Sequence, residues 1–299
     1  MRSYWSLLLL LASMWGASYL FIKVAVEDIP PAAMTDLRLS MAAVLLFAYL
    51  AYREGAMQAV GQLRAAWLPC LVLGIINAAI PMTLVAWGET HIDSSIAGIA
   101  QSSVPIFVAI LGLRFLPHDP LGRLQTVGLV IGITGVALIT GVHPDGGTWA
   151  VAGTFAVVLS SVSYASGGIY GQLHVHGTPG PVLATGSMIA GALALLPFAM
   201  ADSPTALPGA TALSALLALV LIPTFLGQLL LFRILRLFGS RRLSLVTFLM
   251  PGFAVVYGAV LLDEHVSGAA LAGLTLILVG VVLASGQRLF GVRVQEERA

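Results

Sequence analysis

Val104-Pro105-Ile106-Phe107-Val108-Ala109-Ile110-Leu111-Gly112 and Met250-Pro251-Gly252-Phe253-Ala254-Val255-Val256-Tyr257-Gly258 share one pattern, with Pro, Phe and Gly in register at an offset of 146 residues. Farther on, Gly128 and Gly135 align with Gly273 and Gly280 once one residue is removed from the intervening loop. Similarity at a fixed offset marks a duplication. Around these copies, apolar runs of membrane-spanning length fall at 4–22, 31–50, 67–88, 94–114, 121–141, 149–170, 181–201, 211–235, 243–262 and 267–287. Each half then carries an odd number of spans, so the second half enters the membrane from the opposite face. The pattern predicts an all-α membrane protein with ten transmembrane helices in two inverted five-helix repeats, residues 1–143 and 144–299. Such an architecture is tied to alternating access around a midplane site.

Composition agrees with that solvent. The chain is 59% hydrophobic and 9% charged, with a mean hydropathy of +0.98, against about 25% charged residues in a soluble domain. At 299 residues, ten crossings leave short loops and no sizeable soluble domain. Their turn chemistry is plain in Pro30-Pro31, Pro117-His118-Asp119-Pro120, Pro144-Asp145-Gly146-Gly147 and Thr178-Pro179-Gly180-Pro181. The stretch from Arg2 to Leu20 has the outline of a signal peptide, but it is long enough to span and carries Trp15 and Tyr19 inside it, so it reads as the first helix.

Orientation follows from the basic residues, which are retained on the cytoplasmic side of span ends. With the N-terminus inside, twelve of the fourteen Lys and Arg fall in or near inner segments, leaving Lys23 in an outer loop and Arg38 within a span. The outer loops collect Glu27, Asp28, Glu89, Asp93, Asp145, Asp202, Asp263 and Glu264. Both termini are therefore expected in the cytoplasm. A net charge of +1 without a basic arm or patch argues against nucleic-acid binding. Thirteen Arg against one Lys suggest a GC-rich bacterial genome, hence a bacterial inner membrane.

The single cysteine, Cys70, has no partner for a disulfide and no metal-ligand spacing around it. His174-Val175-His176 reads as a solvated loop pair, and no HExxH, GxSxG or paired-carboxylate constellation lies at membrane depth, so neither a metal, a cofactor nor an intramembrane enzyme is expected.

Polar side chains inside spans are costly and face the bundle interior, which makes them the candidates for a substrate path. Trp15, Ser18 and Tyr19 share an arc of helix 1, as packing residues or as an aromatic plate with a hydroxyl. Gln101 on helix 4 shares a face with Ser94, Gly98 and Pro105, and the repeat offset carries Gly98, Gln101 and Pro105 onto Ser244, Thr247 and Pro251. These two polar stripes are expected to face each other at the substrate. Ser160, Ser163 and Tyr164 line one face of helix 6, Asn77 precedes Pro81 by a turn, and Gln228 follows Pro223. Prolines at Pro81, Pro105, Pro223 and Pro251 are either gating kinks or shapers of packing. Gly128 and Gly132 form a GxxxG close-packing motif, read as intramolecular rather than as a dimer seam. Arg38 could anchor a substrate carboxylate or cap a neighbouring helix. No Asp or Glu sits at mid-span, so the protein is a facilitator or couples through Asp36, Glu89 or His91 near the outer interface.

Taken with Trp15-Gly16, Arg38, the proline-bearing helices 4 and 9 and the Gly-rich helices 5 and 10, the chain resembles the EamA-type transporters of the drug/metabolite transporter superfamily over nearly its whole length. The resemblance implies inner-membrane metabolite exporters, with amino-acid exporters the most similar, and a cavity lined by helices 1 to 4 and 6 to 9. The chain departs from the nucleotide-sugar and triose-phosphate branches, having almost no intramembrane Lys or Arg to hold phosphate. The expected function is export of amino acids or related small metabolites by a monomer or weak homodimer, needing the lipid bilayer and its substrate as partners. Efflux of cationic drugs is the alternative, and it would call for an acidic residue deep in the cavity.

Overall fold

Runs of Leu, Ala, Val and Ile without water-seeking side chains must satisfy their backbone groups internally, and in lipid the helix does this within one segment. The computed structural model describes residues 2–115, 122–141, 147–204, 206–243 and 245–284. No strand occurs among them. The helices are α1 (Arg2–Ala25), α2 (Pro31–Glu54), α3 (Ala56–Ala65), α4 (Trp67–Glu89), α5 (Ser94–Phe115), α6 (Arg123–Gly141), α7 (Gly147–His174), α8 (Gly180–Ala201), α9 (Ala210–Gly239), α10 (Val246–Leu261) and α11 (Gly268–Ala284). Seven of them, α1, α2, α4, α5, α7, α8 and α9, are long and apolar enough to cross a membrane, and α6, α10 and α11 are shorter apolar helices. Large apolar side chains stay exposed along their lengths, among them Val44, Val130, Phe155, Leu193 and Val260. Lipid is the medium that suits such a surface, and the chain is a multi-pass membrane protein.

One element was not expected. Residues 56–65, which fall in the connection between the runs 31–50 and 67–88, form the ten-residue helix α3 between Gly55 and Trp67. Its Ala59 is fully buried while Met57, Gln58 and Arg64 face outward. A segment with one buried side has too few apolar residues to register as a span, yet enough to lie against the bundle.

Packing follows the small residues. Helices α6 and α11 make the most extensive pairing in the bundle, and glycines line the seam. A Cβ added at Gly280 would stand 2.5 Å from the Gly132 nitrogen and 2.6 Å from the Gly128 carbonyl oxygen, and one at Gly135 would stand 2.8 Å from the Gly273 carbonyl. The GxxxG motif is thus used inside the molecule. Elsewhere α2 packs on α8, α1 on α10, and α4 on α7. Gly16 lets α1 approach the Phe253 and Met250 region of α10, and Gly88 lets α4 approach Gly153 of α7.

Three of the membrane helices are irregular at prolines or just ahead of one. In α4 a π-turn spans Ile75–Ala79, where the Ile80 amide bonds five residues back to the Ile75 carbonyl. In that register Pro81, which has no N–H, leaves the Ile76 carbonyl without its donor. The Ser163 hydroxyl of α7 supplies it at 2.6 Å. In α9 a π-turn spans Val220–Leu226 around Pro223, and the Thr224 hydroxyl donates to the Leu219 carbonyl at 2.7 Å. In α5 the helix breaks at Ser102–Ser103, just before Pro105, and the two hydroxyls donate to the Ile99 and Ala100 carbonyls at 2.6 and 2.7 Å. Pro251 sits in an α10 that continues unbroken.

Candidate functional site

Arg38 lies on the buried face of α2, 7% exposed, beside Thr35, Asp36 and Leu39. Its Nε donates to the Thr224 hydroxyl oxygen at 2.9 Å. The residue that restores the α9 backbone after Pro223 thus also holds a guanidinium from across the bundle. The two Nη groups make no hydrogen bond among the described residues and are not among the sealed-off polar atoms. Tyr19 of α1, Tyr164 of α7 and Glu89 of α4 all lie within electrostatic range of this cation. Four helices therefore bring groups within electrostatic range of one positive charge, two of those groups being phenols.

Several of the expected residues lie on the helices that carry these groups. Tyr19 is buried, with its ring 3.5 Å from the Cβ position of Gly98 on α5. Half-buried Trp15 sits one turn below it, its indole nitrogen 2.9 Å from the Cβ position of Gly227 on α9, next to half-buried Gln228. Ser18 is half-buried on the same arc. Asn77, inside the α4 π-turn, packs against Gly167 of α7.

Other residues are committed elsewhere. Gln101 is buried, and both ends of its amide go to α7: its Nε2 donates to the Ser161 hydroxyl at 3.1 Å, and its Oε1 accepts from Ser160 at 2.8 Å. Those bonds join α5 to α7 rather than reaching α10. Thr247 is half-buried and has an interaction of its own. Ser244 lies outside the described residues. Replacing Gln101 with leucine removes two neutral hydrogen bonds of about 0.5–1.5 kcal/mol each. Thermal unfolding of the detergent-solubilised protein is therefore expected to show a loss of about 1–3 kcal/mol for Gln101→Leu, and a parental midpoint would show that these bonds do not brace α5 against α7.

The two ends of the bundle differ. At the end where α1 leads into α2, Lys23 donates from Nζ to the Glu89 and Ile92 carbonyls, each at 2.8 Å, closing the C-terminus of α4. Glu264 accepts from the Ser94 and Ser95 amides at 2.7 and 2.9 Å, closing the N-terminus of α5. Asp28 accepts from the Gly209 amide at 2.8 Å, tying two further connections together. At the opposite end a cavity of about 630 Å³ opens between α2, α8 and α9, lined by Tyr49, Arg53, Glu54, Phe232, Arg233 and Arg236 among others. Tyr49 is eleven residues beyond Arg38 on α2, roughly 16 Å along the helix at 1.5 Å per residue. A second cavity of about 470 Å³ is apolar and lies between α4 and α8, lined by Trp67, Cys70, Leu71 and Ile189. Neither cavity is lined by Arg38.

Sequence reasoning passed over Thr224, Ser161, Lys23 and Glu264. Thr224 carried one signal, its place directly after Pro223, since a hydroxyl there can supply the donor a proline removes. For the other three, no local pattern identifies the partner.

Known proteins share this fold. A solved structure 19% identical in sequence superposes with a TM-score of 0.66 over 97% of this chain and 100% of that one, which shows a shared fold. An uncharacterised transporter of Archaeoglobus fulgidus is 27% identical over 288 residues, 95% of this chain and 99% of its own. The inner membrane transporter YedA of Escherichia coli K12 is 26% identical, over 92% of this chain and 89% of its own. A protein of Salmonella typhimurium named "Probable amino-acid metabolite efflux pump" is 24% identical, over 97% and 95%. The model of the EamA-like transporter family matches residues 3–141 and again 151–286, and the chain belongs to that family of membrane transporters.

Proposed function

We propose that this transporter exports amino acids or related small metabolites carrying a carboxylate, working by alternating access in a bacterial inner membrane. The observation that carries the reading is Arg38, a guanidinium at membrane depth with one N–H fixed by Thr224 and its fork end uncommitted. A planar fork held by Nε presents two parallel donors, which suits a carboxylate. Tyr19 and Tyr164 add hydroxyls and aromatic faces for the rest of the ligand. A cationic drug would meet the same guanidinium as a repulsion, so this arrangement disfavours the alternative. The efflux pump named for amino-acid metabolites supports the substrate class by likeness, and YedA supports the membrane.

The proposed architecture is the inverted pair of five-helix repeats, residues 1–143 and 144–299. The double match of the family model, residues 3–141 and 151–286, supports that division. Both termini are placed in the cytoplasm, which puts the Arg53 cavity inside and the Lys23 and Glu264 caps outside, so this conformation is closed to the outside. In that reading Pro81, Pro105 and Pro223, with Pro251, are the points where helices bend between states.

Two experiments test this. Counterflow of radiolabelled amino acids in proteoliposomes is expected to single out carboxylate-bearing substrates, and exchange confined to cationic compounds would overturn the reading. For orientation, single cysteines on a Cys70→Ala background are placed at two of the most exposed positions, Leu207 and Met57, 97% and 90% exposed. Leu207→Cys is expected to react with an impermeant maleimide in intact cells, and Met57→Cys to react after permeabilisation. The reverse pattern would invert the topology.

A further inference from the structure

We propose that Glu89 is a proton-binding site of the transport cycle, occupied in this conformation and emptied when the Lys23 end opens. Glu89 is 0% exposed, and neither carboxyl oxygen has a hydrogen-bond partner among the described residues. A bare carboxylate in such a place costs several kcal/mol or more, and the neutral acid far less. The nearest cation does not offset that cost with a hydrogen bond, because Lys23 donates to the backbone carbonyls of Glu89 and Ile92 instead.

The surroundings of the carboxyl are mixed. From α1 it faces Lys23 and Tyr19, from α2 it faces Arg38, and from the connection after α10 it faces Glu264. Helix α7 packs the adjacent Gly88 with Gly153 and Val157, both uncharged, and its Tyr164 joins the network through Arg38 and Tyr19. In the turn that follows, His91 is occupied by Thr90, the Trp87 carbonyl and the Trp149 ring, and Asp93 has an interaction of its own. Glu264 is committed to the Ser94 and Ser95 amides. The Ser94 and Ser95 hydroxyls at the same end are also buried without hydrogen-bond partners among the described residues. Polar groups gathered without partners in one conformation are accounted for if another conformation supplies them.

The step is simple. As α1 separates from the α4–α5 turn, Lys23 leaves the two carbonyls and water enters. The Glu89 O–H then gives its proton to that water, the electron pair stays on the carboxylate, and the Lys23 ammonium is released to face it. Reclosure takes a proton back from that same water, because the dry cage does not hold the anion. The site is thus a proton gate on closure of the Lys23 end, which the exporter reading by itself leaves open, and it rests on the alternating-access part of that reading.

The test is transport in proteoliposomes under an imposed pH gradient, with the amino acid identified by counterflow as the reporter. With one proton taken per closure, each unit of pH on the Lys23 side changes the ratio of protonated to anionic open sites by up to about tenfold. The exchange rate of the parent protein is expected to follow that pH. Glu89→Gln should exchange substrate while ignoring it, and Glu89→Asp should follow it again. Infrared difference spectra of the purified protein give an independent readout: a protonated-carboxyl band that persists in Asp36→Asn and is lost in Glu89→Gln. If Glu89→Gln does not insert, the shift of that band in Glu89→Asp replaces it. Parent exchange that ignores pH on the Lys23 side, a Glu89→Gln variant whose exchange still follows it, or no such band in the parent would each overturn the proposal. Absence of all amino-acid exchange would strike the exporter reading instead, and the infrared band would still decide the proton site.

Discussion

Replacing Arg38 with glutamine is expected to weaken substrate binding by about 10- to 150-fold, the range that corresponds to losing one charged hydrogen-bonded contact of about 1.5–3 kcal/mol. Glutamine keeps a donor for Thr224 and removes the charge, so the change isolates what the guanidinium gives the ligand. Arg38→Lys keeps the charge but not the fork, and it should recover part of the loss. Thr224→Val acts at one remove, freeing Nε and leaving the Leu219 carbonyl without its hydroxyl donor, and should lower affinity less than Arg38→Gln does. The measurement is the half-saturation constant for counterflow in proteoliposomes at matched protein density. Arg38→Gln with parental affinity and normal insertion would mean that the guanidinium caps or braces its neighbours instead, and the substrate assignment would fall with it.

The largest effect on stability is expected at Gly280. A valine there must displace the Gly132 and Gly128 backbone, because its Cβ alone would lie 2.5–2.6 Å from their atoms. Overpacking of this kind costs about 1–3 kcal/mol where side chains can yield, and more where the obstacle is backbone. Gly280→Val should therefore lower the thermal midpoint of the solubilised protein sharply. Gly252→Val, where a Cβ would meet nothing within 4 Å, should leave it near the parent value. Equal midpoints for the two variants would show that the α6–α11 seam is not set by close backbone approach. In lipid, where apolar surface gains nothing by leaving the solvent, small residues and close contact are what hold two helices together. That is why a single methyl group matters at this seam.

Much of this was legible in the order of residues. Hydropathy adds up along a segment regardless of its neighbours, so 59% hydrophobic content and apolar runs of about twenty residues placed α1, α2, α4 to α11 to within a few residues of their ends. The family followed from the same patterns and from the repeated Pro, Phe and Gly. Prolines at 81 and 223 marked irregular turns because a missing N–H is a property of the residue itself. Helix α3 escaped because one buried alanine face is too weak a pattern to stand out from a loop.

What only the tertiary structure decided is which polar group meets which. Arg38 and Thr224 are 186 residues apart, and Gln101 finds Ser161 across 60. No periodicity carries that information, since a hydrogen bond depends on which helices abut and at what depth. The polar stripe of α5 illustrates the difference: residues 94–101 are buried on every side, and whether Gln101 turns to α7 or to α10 is settled by two serines on a helix in the other half of the chain. Glu89 is the clearest case. By sequence it is a loop-edge acid beside an outer interface; the packing of its neighbours closes over it and leaves its carboxyl with no donor among the described residues. Burial is a property of the assembled neighbours, and so is the chemistry it imposes.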